Sequence, residues 1–175
     1  ILKDNADVIS ARAGIDIVVK LGVVKNLNKD RGLDIALSNN IDDVLDDPEI
    51  DIVVELMGGV EDAFEVVKKA LKNGKAVVTA NKALLAYHRY ELAELAKDIA
   101  FEYEASVAGG IPIINALRDG LSANHIESIM GIMNGTCNYM LTKMTNEGVA
   151  YDAILKEAQE LGYAEADPTF DVGGY

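Results

Sequence analysis

The chain has 175 residues, half of them hydrophobic, with 29 acidic and 16 basic side chains and a formal net charge of −13. This acidity argues against nucleic acid as a partner, because phosphate binding needs a basic surface. No apolar run approaches the roughly 20 residues needed to cross a bilayer. The single cysteine, Cys137, excludes an internal disulfide and fits a reducing compartment. We therefore expect a cytoplasmic globular protein that does not contact a membrane.

In the first part of the chain, apolar helical faces alternate with short β-branched runs. The predicted elements are, in order, helix 1–13, strand 15–24, loop 25–40, helix 41–45, strand 50–56, helix 60–72, strand 76–79, helix 90–99 and strand 101–105. The dense run 15–24 predicts a strand buried on both faces. Strands alternating with helices at this spacing indicate βαβ units and a mostly parallel sheet.

The pattern changes after Gly109 and Gly110. The predicted elements of the second part are helix 112–118, strand 125–133, helix 136–147 and helix 151–161. The mixed polarity of residues 125–133 is typical of a sheet with one covered face. We place a domain boundary here, which gives a first domain of residues 1–107 and a second of residues 108–175.

Five segments of the chain stand out, in this order: residues 50–59 (IDIVVELMGG), 77–82 (VVTANK), 104–113 (EASVAGGIPI), 133–139 (MNGTCNY) and 157–168 (EAQELGYAEADP). Together they resemble homoserine dehydrogenases. The resemblance implies an NAD(P)-dependent enzyme that interconverts homoserine and aspartate 4-semialdehyde in threonine and methionine biosynthesis. It also implies a homodimer formed through the second domain's sheet, for which strand 125–133 is the candidate.

A dinucleotide-binding sheet should open with a strand, Gly-x-Gly-x-x-Gly and a helix, a motif that the sequence lacks. With the resemblance, the fold class is therefore α/β: a Rossmann-like parallel sheet lacking its first strand, then part of an α+β substrate and dimerisation domain. We expect this chain alone to be inactive. The competing interpretations are another Rossmann dehydrogenase of a small acid and a non-catalytic ligand-binding domain of the same fold.

Lys82 directly follows a predicted strand, at a predicted helix start. By itself this pattern fits either a solvated lysine or a catalytic or phosphate-binding cation at the carboxyl edge of a sheet. The resemblance implies the second, with Lys82 beside the nicotinamide and the substrate. A cation there can stabilise a developing alkoxide.

The resemblance also assigns residues to the substrate. Glu165 corresponds to a glutamate that binds the substrate's ammonium group, a cation that calls for a carboxylate. Tyr163, Thr136 and Asp171 are further substrate-binding candidates, and Gly162 is a candidate for contact with the cofactor. From the residues alone, Gly162 could equally end a helix and Thr136 could cap one.

Glu104, Val107, Gly109 and Ile111 match positions at which the family binds a monovalent cation, typically sodium. One carboxylate with several main-chain oxygens suits a hard cation. A glycine-rich turn without an ion is the alternative.

Cofactor preference depends on the end of the predicted strand 15–24. Basic residues follow it at Lys25, Lys29 and Arg31. Since a 2′-phosphate favours basic partners, Lys25 favours NADP over NAD, although a solvated basic loop fits the same residues.

Overall fold

The computed structural model describes residues 1–32, 34–164 and 168–173. The chain divides into two compact units, Ile1–Ser122 and Ala123–Tyr175. The boundary predicted after residue 107 lies inside the first unit, and as a domain boundary it stays a prediction. No helix among the described residues is long and apolar enough to cross a membrane.

The first unit contains two small parallel sheets, and in the larger one a helix connects each strand to the next. Its elements are α1 (Ala6–Ala13), β1 (Leu21–Val23), β2 (Ala36–Ser38), α2 (Asp42–Leu45), β3 (Ile52–Glu55), α3 (Glu61–Lys72), β4 (Ala76–Thr79), α4 (Lys82–Leu95), β5 (Phe101–Glu102), a 3₁₀ turn (Glu104–Ser106), α5 (Ile113–Asn115) and a π-helical turn (Ala116–Gly120). One sheet pairs β1 with β2, and the other has the order β3-β4-β5. All three strand pairings are parallel, as predicted.

The core of the first unit lies between α3, α4 and the three-stranded sheet. Val67, Val77, Leu84 and Leu92 are fully buried there. Each such side chain contributes about 1.5–3 kcal/mol relative to an exposed one. These residues fix the carboxyl ends of β3 and β4 beside the start of α4.

The predicted strand 15–24 is wrong in extent and burial. Only Leu21–Val23 is a strand, none of its residues is fully buried, and Val18 is 79% exposed. A strand extends only as far as its partner, and here the partner is β2, which has three residues. That partner lies inside the predicted loop 25–40, where the polar surroundings concealed it.

Three other predicted elements change at their ends. The predicted helix 90–99 begins earlier, at Lys82, because the side chain of Asn81 caps it. The predicted strand 101–105 ends at Glu102, because the 3₁₀ turn follows. The predicted helix 112–118 is the short α5 followed by the π-helical turn. The strand predicted over 76–79 is confirmed as β4.

The second unit is helical where it is described. Its elements are α6 (Gly135–Glu147), α7 (Tyr151–Glu160) and α8 (Thr169–Val172), and its core consists of Met140, Ile154, Ala158 and Ala164. The predicted strand 125–133 is wrong, because these residues form no strand and all are exposed. Apolar alternation alone does not make a strand, and no described residue pairs with this segment.

Candidate functional site

Lys82 stands where the sequence predicted it, at the first residue of α4 and close behind the carboxyl end of β4. The helix start is fixed by Asn81, whose side-chain Oδ1 accepts a hydrogen bond from the main-chain N–H of Leu84 at 3.0 Å. The side chain of Lys82 is exposed. Its position suits contact with a ligand at this edge of the sheet, where parallel α/β sheets bind ligands.

A glycine pair follows β3 at the same edge. Gly58 and Gly59 have φ values of 73° and 74°, a left-handed conformation that side chains other than glycine rarely adopt. A Cβ added at either position would meet no atom within 4 Å. The main-chain oxygen of Gly59 accepts a hydrogen bond from Asn81 Nδ2 at 2.7 Å, so this open backbone lies beside the residue that precedes Lys82.

Lys25 lies just beyond β1 and is exposed. The loop that contains it is held by Arg31, whose guanidinium donates to the main-chain oxygens of Asn26 and Lys29 at 2.8 Å each. The described loop thus carries three basic side chains close to the end of β1, and the preference between NADP and NAD stays a prediction.

The predicted cation ligands share one loop of the first unit. Glu104 accepts main-chain hydrogen bonds with both carboxylate oxygens, from Ile114 at 2.9 Å and from Asn115 at 2.8 Å. It therefore anchors the start of α5 onto the 3₁₀ turn. Each carboxylate oxygen retains lone-pair capacity for a further partner.

The turn between Glu104 and Ile111 contains two residues with a left-handed backbone. Ala108 and Gly109 have φ values of 54° and 59°, and the oxygen of Ile111 accepts a hydrogen bond from the N–H of Ile113 at 2.8 Å. No cluster of three or more His, Cys, Asp or Glu side chains that could hold a metal occurs among the described residues. The predicted donor set of Glu104, Val107, Gly109 and Ile111 consists mostly of main-chain oxygens, and a cation bound there stays a prediction.

In the second unit, three predicted substrate residues come together. The hydroxyl of Thr136, which is buried, donates to the main-chain oxygen of Tyr163 at 2.5 Å. The hydroxyl oxygen of Thr136 also lies 3.3 Å from Oδ2 of Asp171. Thr136, Tyr163 and Asp171 therefore form one cluster at the start of α6, whereas Glu165 lies outside the described residues.

Two residues of this cluster were not predicted as parts of it. Asn134 caps α6 through Oδ1, which accepts from the N–H of Cys137 at 2.8 Å, and its Nδ2 donates to Asp171 Oδ1 at 3.0 Å. Cys137 Sγ donates to the main-chain oxygen of Asp171 at 3.1 Å. The sequence indicated Thr136 as a possible helix cap and did not identify Asn134, because local spacing cannot show a partner 37 residues away.

Tyr163 is supported from α6. Its ring packs against that of Tyr139, with centroids 4.9 Å apart. The Tyr139 hydroxyl donates to Glu157 Oε1 at 2.5 Å, and Lys143 Nζ donates to the same oxygen at 2.9 Å. These hydrogen bonds, that of Tyr139 foremost, lower the pKa of Glu157 and raise the pKa values of Tyr139 and Lys143.

Gly162 ends α7 in a left-handed conformation, with φ of 77°. Its N–H donates to the oxygen of Gln159 at 3.1 Å, and the N–H of Tyr163 donates to that of Ala158 at 2.8 Å. This pair of bonds is a Schellman motif. The helix-end interpretation of Gly162 is therefore confirmed, and contact with the cofactor stays a prediction.

Two family profiles match the chain. The profile described as "Homoserine dehydrogenase, NAD binding domain" matches residues 1–104, which is more than half of the chain. The chain belongs to the homoserine dehydrogenase family. A second profile, described as "Homoserine dehydrogenase", matches residues 112–175.

Individual homoserine dehydrogenases resemble the chain over most of its length. One from Helicobacter pylori is 53% identical over 99% of this chain and 41% of its own length. The crystal structure of one from Thiobacillus denitrificans has a TM-score of 0.91 at 55% identity, covering 97% of this chain and 40% of that chain. A hyperthermophilic archaeal homoserine dehydrogenase in complex with NADPH has a TM-score of 0.68 at 34% identity, covering 77% of this chain and 42% of that chain.

The chain thus spans about 41% of the length of the homoserine dehydrogenase from Helicobacter pylori. The α/β class, the parallel strands and the Rossmann-like NAD-binding domain expected from the sequence are confirmed.

Proposed function

We propose that this homoserine dehydrogenase chain acts in the NAD(P)-dependent interconversion of L-homoserine and L-aspartate 4-semialdehyde, a step toward threonine and methionine. The observation that carries the proposal is the cluster of Thr136, Tyr163 and Asp171 in the second unit. A buried hydroxyl beside a carboxylate suits an amino-acid substrate, which brings both a cation and hydrogen-bonding groups.

The carboxylates are assigned to the ammonium end of the substrate. Asp171 is fixed by Asn134 and lies beside Thr136, so its orientation is set before the substrate arrives. Glu165, six residues earlier in the chain, is the proposed principal partner of the ammonium group. Tyr163, which is 57% exposed, offers a ring face to the substrate.

Lys82 is assigned to the reacting end. A bound nicotinamide supplies the acceptor for the hydride that leaves the alcohol carbon. Lys82 Nζ donates a hydrogen bond to the substrate's hydroxyl oxygen and stabilises the negative charge that develops there as the hydroxyl proton passes to water. Preorganised charge of this kind is commonly the largest catalytic contribution.

The preferred cofactor is proposed to be NADP, with NAD as the alternative. The basic loop of Lys25, Lys29 and Arg31 follows β1, the family profile is that of an NAD-binding domain, and one relative is in complex with NADPH. Lys25 carries the charge for a 2′-phosphate but lacks the two-pronged geometry of arginine. Gly162 is retained as a proposed cofactor contact.

A sodium ion is proposed at the oxygens of Glu104, Val107, Gly109 and Ile111, with a structural role. The left-handed turn and the anchored carboxylate of Glu104 support it. The ion would hold the loop that follows β5.

The protein is further proposed to be a cytoplasmic homodimer. Exposed apolar side chains support an interface in the segment 125–133. Ile129, Met130, Ile132 and Met133 are between 59% and 94% exposed.

A substrate comparison tests the proposal in the complete product of the gene that encodes this chain. L-Homoserine should drive reduction of NADP⁺, whereas L-2-aminobutyrate, which lacks the hydroxyl group, should not. NAD⁺ should support a lower kcat/KM than NADP⁺. Binding of NADPH without any oxidation of homoserine would instead indicate a non-catalytic domain.

A further inference from the structure

A buried carboxylate ends β3 at the edge of the sheet that carries Lys82. Glu55 is 2% exposed, and both of its carboxylate oxygens are used. Oε1 accepts from the main-chain N–H of Met57 at 2.6 Å, and Oε2 accepts from the hydroxyl of Thr79 at 2.6 Å. The charge therefore ties the end of β3 to the end of β4.

The same network continues to the start of α4. Thr79, which is fully buried, accepts with Oγ1 from the N–H of Asn81 at 3.0 Å. Asn81 in turn donates from Nδ2 to the oxygen of Gly59 at 2.7 Å and caps α4 through Oδ1. The residue after Asn81 is Lys82, so one chain of hydrogen bonds runs from Glu55 to the base of the proposed catalytic lysine.

The position of Glu55 is one where packing alone would favour an apolar residue. Along β3 buried and exposed residues alternate, and Val53, two residues before Glu55, is the other buried residue of the strand. Burying a charge is unfavourable unless hydrogen bonds compensate for its lost hydration. The compensating bonds of Glu55 all lead to the two turns at the carboxyl edge, rather than to the core.

We propose that Glu55 is a positioning residue for Lys82, acting through Thr79 and Asn81. The inference rests on the proposed function, since it concerns hydride transfer at the same site. The buried carboxylate fixes the Thr79 hydroxyl as a donor, which leaves its oxygen free to accept from Asn81. The first turn of α4, and with it the direction of Lys82, is thereby set before ligands bind.

The experiment uses the complete gene product and replaces Glu55 with Gln, which keeps the volume but turns one acceptor into a donor. Misplacing a catalytic group by about 1 Å can cost about 100-fold. We expect Glu55→Gln to lower kcat by about 10- to 100-fold. The KM values for homoserine and NADP⁺ should change by less than about threefold. Glu65→Gln, at a carboxylate that is 72% exposed on α3, is the matched control and should leave kcat unchanged.

A double variant separates positioning from a general loss of structure. If Glu55 acts through Lys82, Glu55→Gln should lower kcat further by less than about twofold when Lys82 is already alanine. A purely structural effect would lower kcat by the same factor in both backgrounds. The active fraction of each variant is measured by the stoichiometry of NADPH binding.

A second pair of variants covers the case in which Glu55→Gln does not fold. Thr79→Ser keeps the hydroxyl and should retain kcat within about threefold, whereas Thr79→Val removes it and should behave like Glu55→Gln. Equal kcat values for Thr79→Val and the wild type, or an undiminished Glu55→Gln effect without Lys82, would overturn the inference alone. A wild type that binds NADPH but does not oxidise homoserine would overturn the proposed function, and this inference with it.

Discussion

The hydroxyl oxygen of Thr136 lies 3.3 Å from the carboxylate of Asp171, although 35 residues separate the two in the chain. The same hydroxyl donates to the main-chain oxygen of Tyr163 at 2.5 Å. One residue near the start of α6 thus holds the end of the α7 segment and approaches α8.

Replacing Thr136 with Val should loosen this cluster. The substitution leaves the Tyr163 oxygen without its buried donor, a loss that costs about 1–3 kcal/mol in unfolding free energy. We also expect the KM for homoserine to rise, because Asp171 loses a neighbour that restricts its orientation. Urea unfolding and steady-state kinetics of the complete gene product measure both effects. Thr136→Ser, which keeps the hydroxyl, should stay close to the wild type, and equal losses for Ser and Val would contradict the role of the hydroxyl.

Asn134 should prove sensitive to charge rather than to loss of the helix cap. Asn134→Asp keeps an oxygen that can cap α6, since Asp and Asn are similar caps. It replaces the donor to Asp171, at 3.0 Å, with a second carboxylate. We expect Asn134→Asp to lower the unfolding free energy at neutral pH by more than Asn134→Ser does, because only Asn134→Asp places a second carboxylate beside Asp171. Equal losses for the two variants would rule out the contact with Asp171.

Glu157 should contribute a pH-dependent part of the stability. Hydrogen bonds from Tyr139 and Lys143 lower its pKa below the ordinary value of 4.5. A group whose pKa is lowered by folding stabilises the protein above its unfolded pKa, and that contribution is lost as the pH falls through the folded pKa. The unfolding free energies of wild type and Glu157→Gln should therefore differ most at neutral pH and converge as the pH falls below 4.5 and through the lowered pKa of Glu157. Glu160→Gln, on the same helix, is the control. If the difference in unfolding free energy between wild type and Glu157→Gln grew on acidification, folding could not be lowering the pKa of Glu157.

The loop at Glu104 should respond to sodium. A cation that binds only the folded state adds about 1.4 kcal/mol when present at ten times its dissociation constant. The melting temperature of the wild type should therefore be higher in sodium chloride than in choline chloride of equal ionic strength. Glu104→Gln should lose that difference, because the amide carries no charge for the ion. Equal melting temperatures of the wild type in the two salts would contradict the proposal that sodium binds at this loop.

Elements with a local signal were predicted well from the sequence. The helix α3 combines one apolar face with a clear stop at Asn73 and Gly74, and the strand β4 is a short apolar run that follows this stop. The short strand β2 and the true extent of β1 were missed, because pairing between segments determines them more than composition does. The opposite error occurs at residues 125–133, where a strand was predicted from a strand-like composition but no described strand pairs with the segment.

The candidate site, too, could be predicted from the sequence only in part. Lys82, Thr136 and Asp171 could be named from their motifs, which the resemblance supplied. Asn134 and Glu55, the latter only proposed to position Lys82, could not be named, because their hydrogen bonds join residues 37 and 24 positions apart. A buried glutamate at the end of an apolar strand is the signal that could have drawn attention to Glu55.

The central claim, that Lys82 serves the chemistry of homoserine oxidation, is tested most directly by the turnover number of Lys82→Ala in the complete gene product. Loss of a group that stabilises charge in the transition state commonly lowers kcat by about 100- to 1,000-fold. We predict a fall of this size with NADPH binding retained, and an unchanged rate for the control Lys72→Ala, at an exposed lysine on α3. A Lys82→Ala variant that oxidises homoserine at the wild-type rate would contradict the account.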